Sequence, residues 1–181
     1  LHGKEFYPYF VAIHHVLFGQ SSFSTAMFDV WSVLCASILL ANFSIKFRLT
    51  SFVAFITSTV FLMIYLIGAY RYHIGRGLTE TTAMIFMLLA AWFLYRAREG
   101  GLIPVAIATF FGVLGYWARQ DHLGVIAALA FLTLEPITGP TGGWKGYWAR
   151  FKCNWQPFAL YLAGGLFFGV ILLCVRHWFI G

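Results

Sequence analysis

Six residues in two short polar stretches have the types and the spacing to do chemistry. Tyr70 to Thr82 reads Tyr-Arg-Tyr-His-Ile-Gly-Arg-Gly-Leu-Thr-Glu-Thr-Thr and holds Arg71, His73, Arg76 and Glu80. Trp117 to His122 reads Trp-Ala-Arg-Gln-Asp-His and adds Arg119 and Asp121. Arginine offers a planar fork of donors that suits phosphate. A carboxylate can take a proton from a reacting group or orient an arginine. Charged residues are only 10% of the chain, so gathering them in short loops places a polar site at the ends of helices. Each residue also has a plainer role. Arg71 and Arg76 can anchor at an interface beside Tyr70 and Tyr72. Glu80 can serve only as an anion at a helix N-terminus, and Arg119 can pair with Asp121 across a turn.

The elements that must position these residues are set by composition. Hydrophobic residues make up 61% of the 181, aromatics 20%, and mean hydropathy is +0.80. A soluble domain carries roughly a quarter charged residues, so lipid is the expected solvent. The hydrocarbon core is about 30 Å thick, and about 20 apolar residues cross it as a helix. The expectation is therefore an all-α, polytopic transmembrane helix bundle forming a single domain. It has about six spans, at 23–44, 50–69, 79–95, 102–117, 122–135 and 156–175, and a short interfacial helix near 8–18.

Local signals set these bounds. Ser22 or Ser24 can cap the first span, Thr50 or Ser51 the second and Thr79 the third, with Glu80 in its first turn. Gly100 and Gly101, after basic residues, stop the third. Pro104 fits the first turn of the fourth, and Pro157 is expected to open the last. Between them, 135–155 reads as the longest loop.

The net charge of +6 invites a nucleic-acid reading, but the basic residues flank the spans, the ordinary membrane pattern, so no nucleic-acid partner is expected. Lys46, Arg48, Arg96, Arg98, Lys145, Arg150 and Lys152 fall on one side, and Lys4, Arg71, Arg76, Arg119 and Arg176 on the other. The richer side is expected to be cytoplasmic, which puts the N-terminus outside. Both polar stretches, and His2, His14, His15, His73, His122 and His177, then gather in or beside outer segments. The adjacent His14 and His15 project in different directions on a helix, so a polar interfacial face is expected there, not a metal or haem site. Asp29, about 9 Å inside the first span, should turn away from lipid and be paired or protonated. Cys35, Cys153 and Cys174 lack metal or disulfide spacing and read as inert buried thiols. Gly165 with Gly169, and Ala108 with Gly112, read as close helix contacts.

The loops carry a resemblance. Phe6-Tyr-Pro-Tyr-Phe through Leu17-Phe-Gly-Gln-Ser, Gly77-Leu-Thr-Glu-Thr, Arg96-Ala-Arg-Glu-Gly-Gly, Ala118-Arg-Gln-Asp-His-Leu and Arg176-His-Trp-Phe-Ile-Gly follow in order over nearly the whole chain. Together they resemble the Tyr-Pro-Pro opening, the Gly-Leu-Ser-Glu segment, the basic cytoplasmic turn, the Thr-Arg-Pro-Glu-Gly-Leu turn and the closing Arg-Asn-Tyr of membrane glycosyltransferases of the GT-C superfamily. Asp29 stands where many members have Arg, and Gln120 replaces the usual Pro.

The resemblance implies a mannosyltransferase-like enzyme. It would take a sugar from a polyprenyl-phosphate donor at the outer face of an inner or plasma membrane, or of the endoplasmic reticulum. It makes Arg71, Arg76 and Arg119 candidates for the donor phosphate, and Glu80, Asp121 and His73 candidates for sugar contacts or for orienting those arginines. It also implies a chain that is part of a longer protein, with the catalytic aspartate before Leu1. No resident cofactor follows from it, and a divalent metal is left open. The expected partners are the bilayer, a lipid-linked sugar and other membrane proteins. Two other functions fit the composition: a non-catalytic membrane scaffold subunit, and, with Asp29 as the one ionisable residue deep in a span, a transporter.

Overall fold

The computed structural model describes residues 6–46, 49–67, 80–97, 101–119, 122–134 and 143–180. Those residues are helical almost throughout and include no strand, as expected of an all-α chain. The helices are α1 (Phe6–Phe18), α2 (Ser22–Lys46), α3 (Ser51–Leu66), α4 (Glu80–Ala97), α5 (Leu102–Ala118), α6 (Leu123–Ala128) and α7 (Gly143–Ile180), with a 3₁₀ segment, Leu129–Leu134, after α6. Two of them contain stretches long and apolar enough to cross a membrane, Ala26–Lys46 and Trp155–Val175. The chain divides into two compact units, Leu1–Leu88 with Trp117–Gln120, and Leu89–Tyr116 with Asp121–Gly181.

In the first unit, α1 closes at Gly19, whose φ of 86° needs a residue without Cβ. The Gly19 N–H donates to the His15 carbonyl (2.9 Å), and His15 Nδ1 donates to the Gly19 carbonyl (3.0 Å). The His14 ring lies between Phe18 and Phe28, with centroids 4.5 and 5.8 Å away. The α2 helix packs chiefly on α3, and its buried face is small and polar: Asp29, Ser32, Val33, Ala36, Ser37 and Ser44. Trp31, Ile38 and Ile45 face outward. This inverts the pattern of a helix solvated by water. Two serines join the pair. Ser37 Oγ donates to the Ser58 carbonyl (3.3 Å) and Ser58 Oγ to the Ser37 carbonyl (3.4 Å). Asp29 is fully buried, as a carboxylate expected to shun lipid should be.

In the second unit, Phe93 stacks on Phe111 (5.8 Å), and Tyr161 of α7 sits against α5 and α6. The Tyr161 hydroxyl donates to the Ile126 carbonyl (3.1 Å), and a Cβ at Gly112 would lie 2.7 Å from that hydroxyl. A Cβ at Gly164 would lie 3.0 Å from the Thr109 methyl group of α5.

Several expectations are corrected. Ser22 and Ser24 lie inside α2, not before it, while Thr50 is the cap of α3: its hydroxyl accepts from the Val53 N–H (3.3 Å). The span expected at 122–135 is not one α-helix. It breaks after Ala128 into the 3₁₀ segment, where the Thr133 hydroxyl donates to the Ala130 carbonyl (2.8 Å). The 135–155 loop is shorter than expected, because α7 already begins at Gly143 and carries Pro157 in its interior. Aromatic pairs flank that proline. Trp148 stacks on Phe151 (5.6 Å), Phe151 meets Phe158 edge-on (5.5 Å), and Phe158 meets Phe131 (5.5 Å). Gly165 and Gly169 face open space, so the GxxxG spacing is not a contact among the described residues. Cys35 and Cys174 are exposed, not buried. Because both lie on apolar spans, sequence spacing alone does not say which face they occupy.

Candidate functional site

The site is built at the start of α4 and just beyond the end of α5, within the first unit. Glu80 is the first residue of α4, where the four leading N–H groups lack intrahelical acceptors and the helix dipole favours an anion. Arg119 follows the last residue of α5 by one. The two segments lie 39 residues apart in sequence, and there Arg119 Nη1 donates to Glu80 Oε1 as an ion pair. The side chains are 31% and 28% exposed, so the pair is open to a ligand.

Behind it stand two hydroxyls. Thr81 and Thr82 are 1% and 3% exposed, and neither Oγ1 has a hydrogen-bond partner among the described residues; nor has Glu80 Oε2, which is also buried. One turn further along α4, Met84 Sδ accepts from the Tyr65 hydroxyl of α3 (3.7 Å), and the Tyr65 ring packs against Phe61 (4.7 Å). Met84 follows Glu80 by four residues and Thr81 by three, so it shares their side of the helix.

Of the residues singled out from the sequence, Glu80 and Arg119 are thus brought together. Arg71, His73, Arg76 and Asp121 lie outside the described residues, as does the expected cap Thr79. Thr81 and Thr82 were not singled out. Their only signal was position, two hydroxyls directly behind a carboxylate at a helix start. His122 stands at the N-cap of α6 and makes no side-chain capping bond. His177 is exposed on α7. Among the described residues no group of three His, Cys, Asp or Glu side chains is placed to hold a metal ion.

Chemically the arrangement pairs a partly exposed cation with a carboxylate whose second oxygen is buried without a partner among the described residues, beside two buried hydroxyls. It suits a ligand that is anionic at one point and rich in hydroxyls at another. No family model, curated protein or solved structure matches the chain.

Proposed function

We propose that the chain is the helical part of an integral membrane glycosyltransferase of the GT-C type, moving a sugar from a polyprenyl-phosphate donor to an acceptor at the outer face. The observation that carries this is the Arg119–Glu80 pair. Glu80 and Arg119, from two polar stretches that the charge pattern assigns to one side, meet at a helix N-terminus. The membrane setting is supported by the turning-out of apolar side chains. Only 6% of the Trp155–Val175 span is buried, and Phe52, Phe55, Leu166 and Phe167 are all exposed. In water each such side chain would forgo roughly 1.5–3 kcal/mol of burial. In lipid it costs nothing.

In this reading Arg119 holds the donor phosphate while Glu80 fixes the guanidinium plane. The acceptor oxygen bonds to the anomeric carbon as the bond from that carbon to the phosphate oxygen breaks. The electron pair leaves on the polyprenyl phosphate, and the acceptor's proton passes to a carboxylate base. Glu80 Oε1 already accepts from Arg119, so Glu80 is assigned the positioning role, not that of the base.

The test is turnover of the full-length protein in membranes supplied with polyprenyl-phosphate sugars. Arg119→Ala should lower it about 100-fold or more, the scale on which losing one charge-stabilising donor acts. Glu80→Gln should act through the same arginine and raise KM for the donor. Unchanged turnover in both variants rejects the assignment. Loss of folding without a specific loss of turnover would make the pair a structural tie, the mark of the scaffold reading.

A further inference from the structure

We propose that the leading segment of α7, 143–156, is an amphipathic docking helix that lies along the bilayer surface and binds anionic phospholipid headgroups. The proposal rests on the lipid surround argued above and not on sugar transfer.

The segment has two characters in its sequence. Trp144, Tyr147, Trp148, Phe151 and Trp155 recur at the spacing that an α-helix gathers into one stripe. Lys145, Arg150 and Lys152 fall between them, and no Asp or Glu occurs anywhere in α7. The fold covers only part of the stripe. Phe151 meets Phe158, and Phe158 meets Phe131 of the 3₁₀ segment. Trp148, stacked on Phe151, is 54% exposed, and Trp155 is 52% exposed. Lys152, between the two tryptophans in sequence, is exposed as well.

The same strip of helix runs on into the Trp155–Val175 span. Trp148, Trp155, Leu166 and Leu173 are separated by intervals of 7, 11 and 7 residues, and each interval returns to nearly the same side of an α-helix. Leu166 and Leu173 are also exposed. Within the span the cover for this strip is hydrocarbon. Ahead of the span its residues change from leucine to tryptophan, which favours the headgroup boundary. Pro157 lets the segment turn along that boundary. Its ring crowds the Cys153 carbonyl and opens the helix on its own side. Pro157 follows Trp155 by two residues, about 200° around the helix, so a bend there closes on the tryptophan side and turns the stripe toward the bilayer. Basic side chains beside such a stripe lay their stems along it and carry their charge to the lipid phosphates. The charge pattern assigns Lys145, Arg150 and Lys152 to the side expected to be cytoplasmic, the leaflet in which anionic lipids concentrate.

The experiment places a spin label on the full-length protein in nanodiscs of phosphatidylcholine, with or without phosphatidylglycerol. Labels go at Trp148→Cys, Ala149→Cys or Leu166→Cys in a Cys35→Ser, Cys153→Ser, Cys174→Ser background. Collision with membrane-soluble oxygen and with an aqueous nickel chelate reads the position of each. With phosphatidylglycerol present, the label at 148 should meet oxygen and the label at 149 the chelate. A label at Trp155→Cys, with Trp148 intact, should repeat the result at 148. One basic residue beside an anionic surface shifts docking about fivefold. Combining Lys145→Gln, Arg150→Gln and Lys152→Gln should therefore lower the docked-to-free ratio on the order of 100-fold, and omitting phosphatidylglycerol should do the same. Combining Lys145→Arg with Lys152→Arg keeps the charge and should leave the ratio within about twofold. Labels at 148 and 149 both open to the chelate would mean a helix standing in water, and both shielded from it would mean a protein partner; either overturns the proposal. So does a ratio indifferent to phosphatidylglycerol or to the glutamine substitutions. The label at 166 separates the two failures. If it meets oxygen, only the docking helix falls; if it meets the chelate, the lipid surround and the membrane function proposed above fall with it.

Discussion

Gly112 leaves no room for a methyl group. A Cβ there would lie 2.7 Å from the Tyr161 hydroxyl and 3.3 Å from an Ile126 methyl group. Gly112→Ala should therefore destabilise the fold by about 1–3 kcal/mol, the usual scale of overpacking. Removing the obstructing oxygen should relieve much of that cost. In a Tyr161→Phe background the nearest ring carbon is 3.4 Å away, so the double variant should be more stable than the sum of the single effects predicts. Thermal unfolding in detergent reads the coupling, and strict additivity would show that Gly112 is not wedged against Tyr161. The Ala108–Gly112 spacing announced this contact in the sequence. The equally suggestive Gly165–Gly169 spacing faces open space. Spacing shows that two helices can approach, while the neighbouring bulk, here Tyr161 and Thr109, decides which glycine they approach at. The charged half of the candidate site was legible for a different reason, since Glu80 and Arg119 stand out in an apolar chain. Thr81 and Thr82 were not, because a helix usually satisfies its own hydroxyls and only the position of the helix start reveals that these two are not satisfied.

At the scale of elements, the α2–α3 pair is held by reciprocal hydroxyl-to-carbonyl bonds at Ser37 and Ser58. Ser37→Ala should cost about 0.6 kcal/mol, the average for one interhelical bond in a membrane bundle. Thr50→Ala should cost about 1 kcal/mol, because it frees the Val53 N–H at the α3 cap. Chemical denaturation of the two variants and their combination checks both. Because the sites lie at different levels of α3 and share no partner, their effects should add. Helix positions were readable because apolar runs broken by Gly, Pro and basic residues leave few alternatives. The misses came at ambiguous signals. Proline suits a first turn as well as a bend, so Pro157 reads as a start in the sequence, whereas the helix runs on both sides of it. The 122–135 run was long enough to suggest one helix, but hydropathy does not distinguish α from 3₁₀ winding.

At the scale of the whole chain, many large apolar side chains among the described residues are exposed, while Asp29, Ser32, Ser37, Thr81, Thr82 and Thr109 are buried, an ordering that suits a lipid surround. Cys35 tests this directly. It is exposed near the middle of the Ala26–Lys46 span. In a Cys153→Ser, Cys174→Ser background it should resist a membrane-impermeant maleimide in intact vesicles and react once detergent is added. Reaction without detergent would place that span in water. Composition alone set the expectation of a lipid solvent, and two stretches long and apolar enough to cross a membrane fit it. The pairing of Glu80 with Arg119 required coordinates, since no local pattern ties residue 80 to residue 119.

The length of α7 has one more consequence. A continuous helix of 38 residues runs about 57 Å, nearly twice the roughly 30 Å of hydrocarbon it would cross. Its leading third, which carries Lys145, Arg150 and Lys152, must then lie among headgroups or beyond them. Pro157 comes two residues into the Trp155–Val175 span and supplies no N–H to the Cys153 carbonyl, which makes that boundary the most compliant point of the rod. Were that span to cross a bilayer, a change in lipid thickness would be taken up as bending at Pro157 before it disturbed the packing of Tyr161.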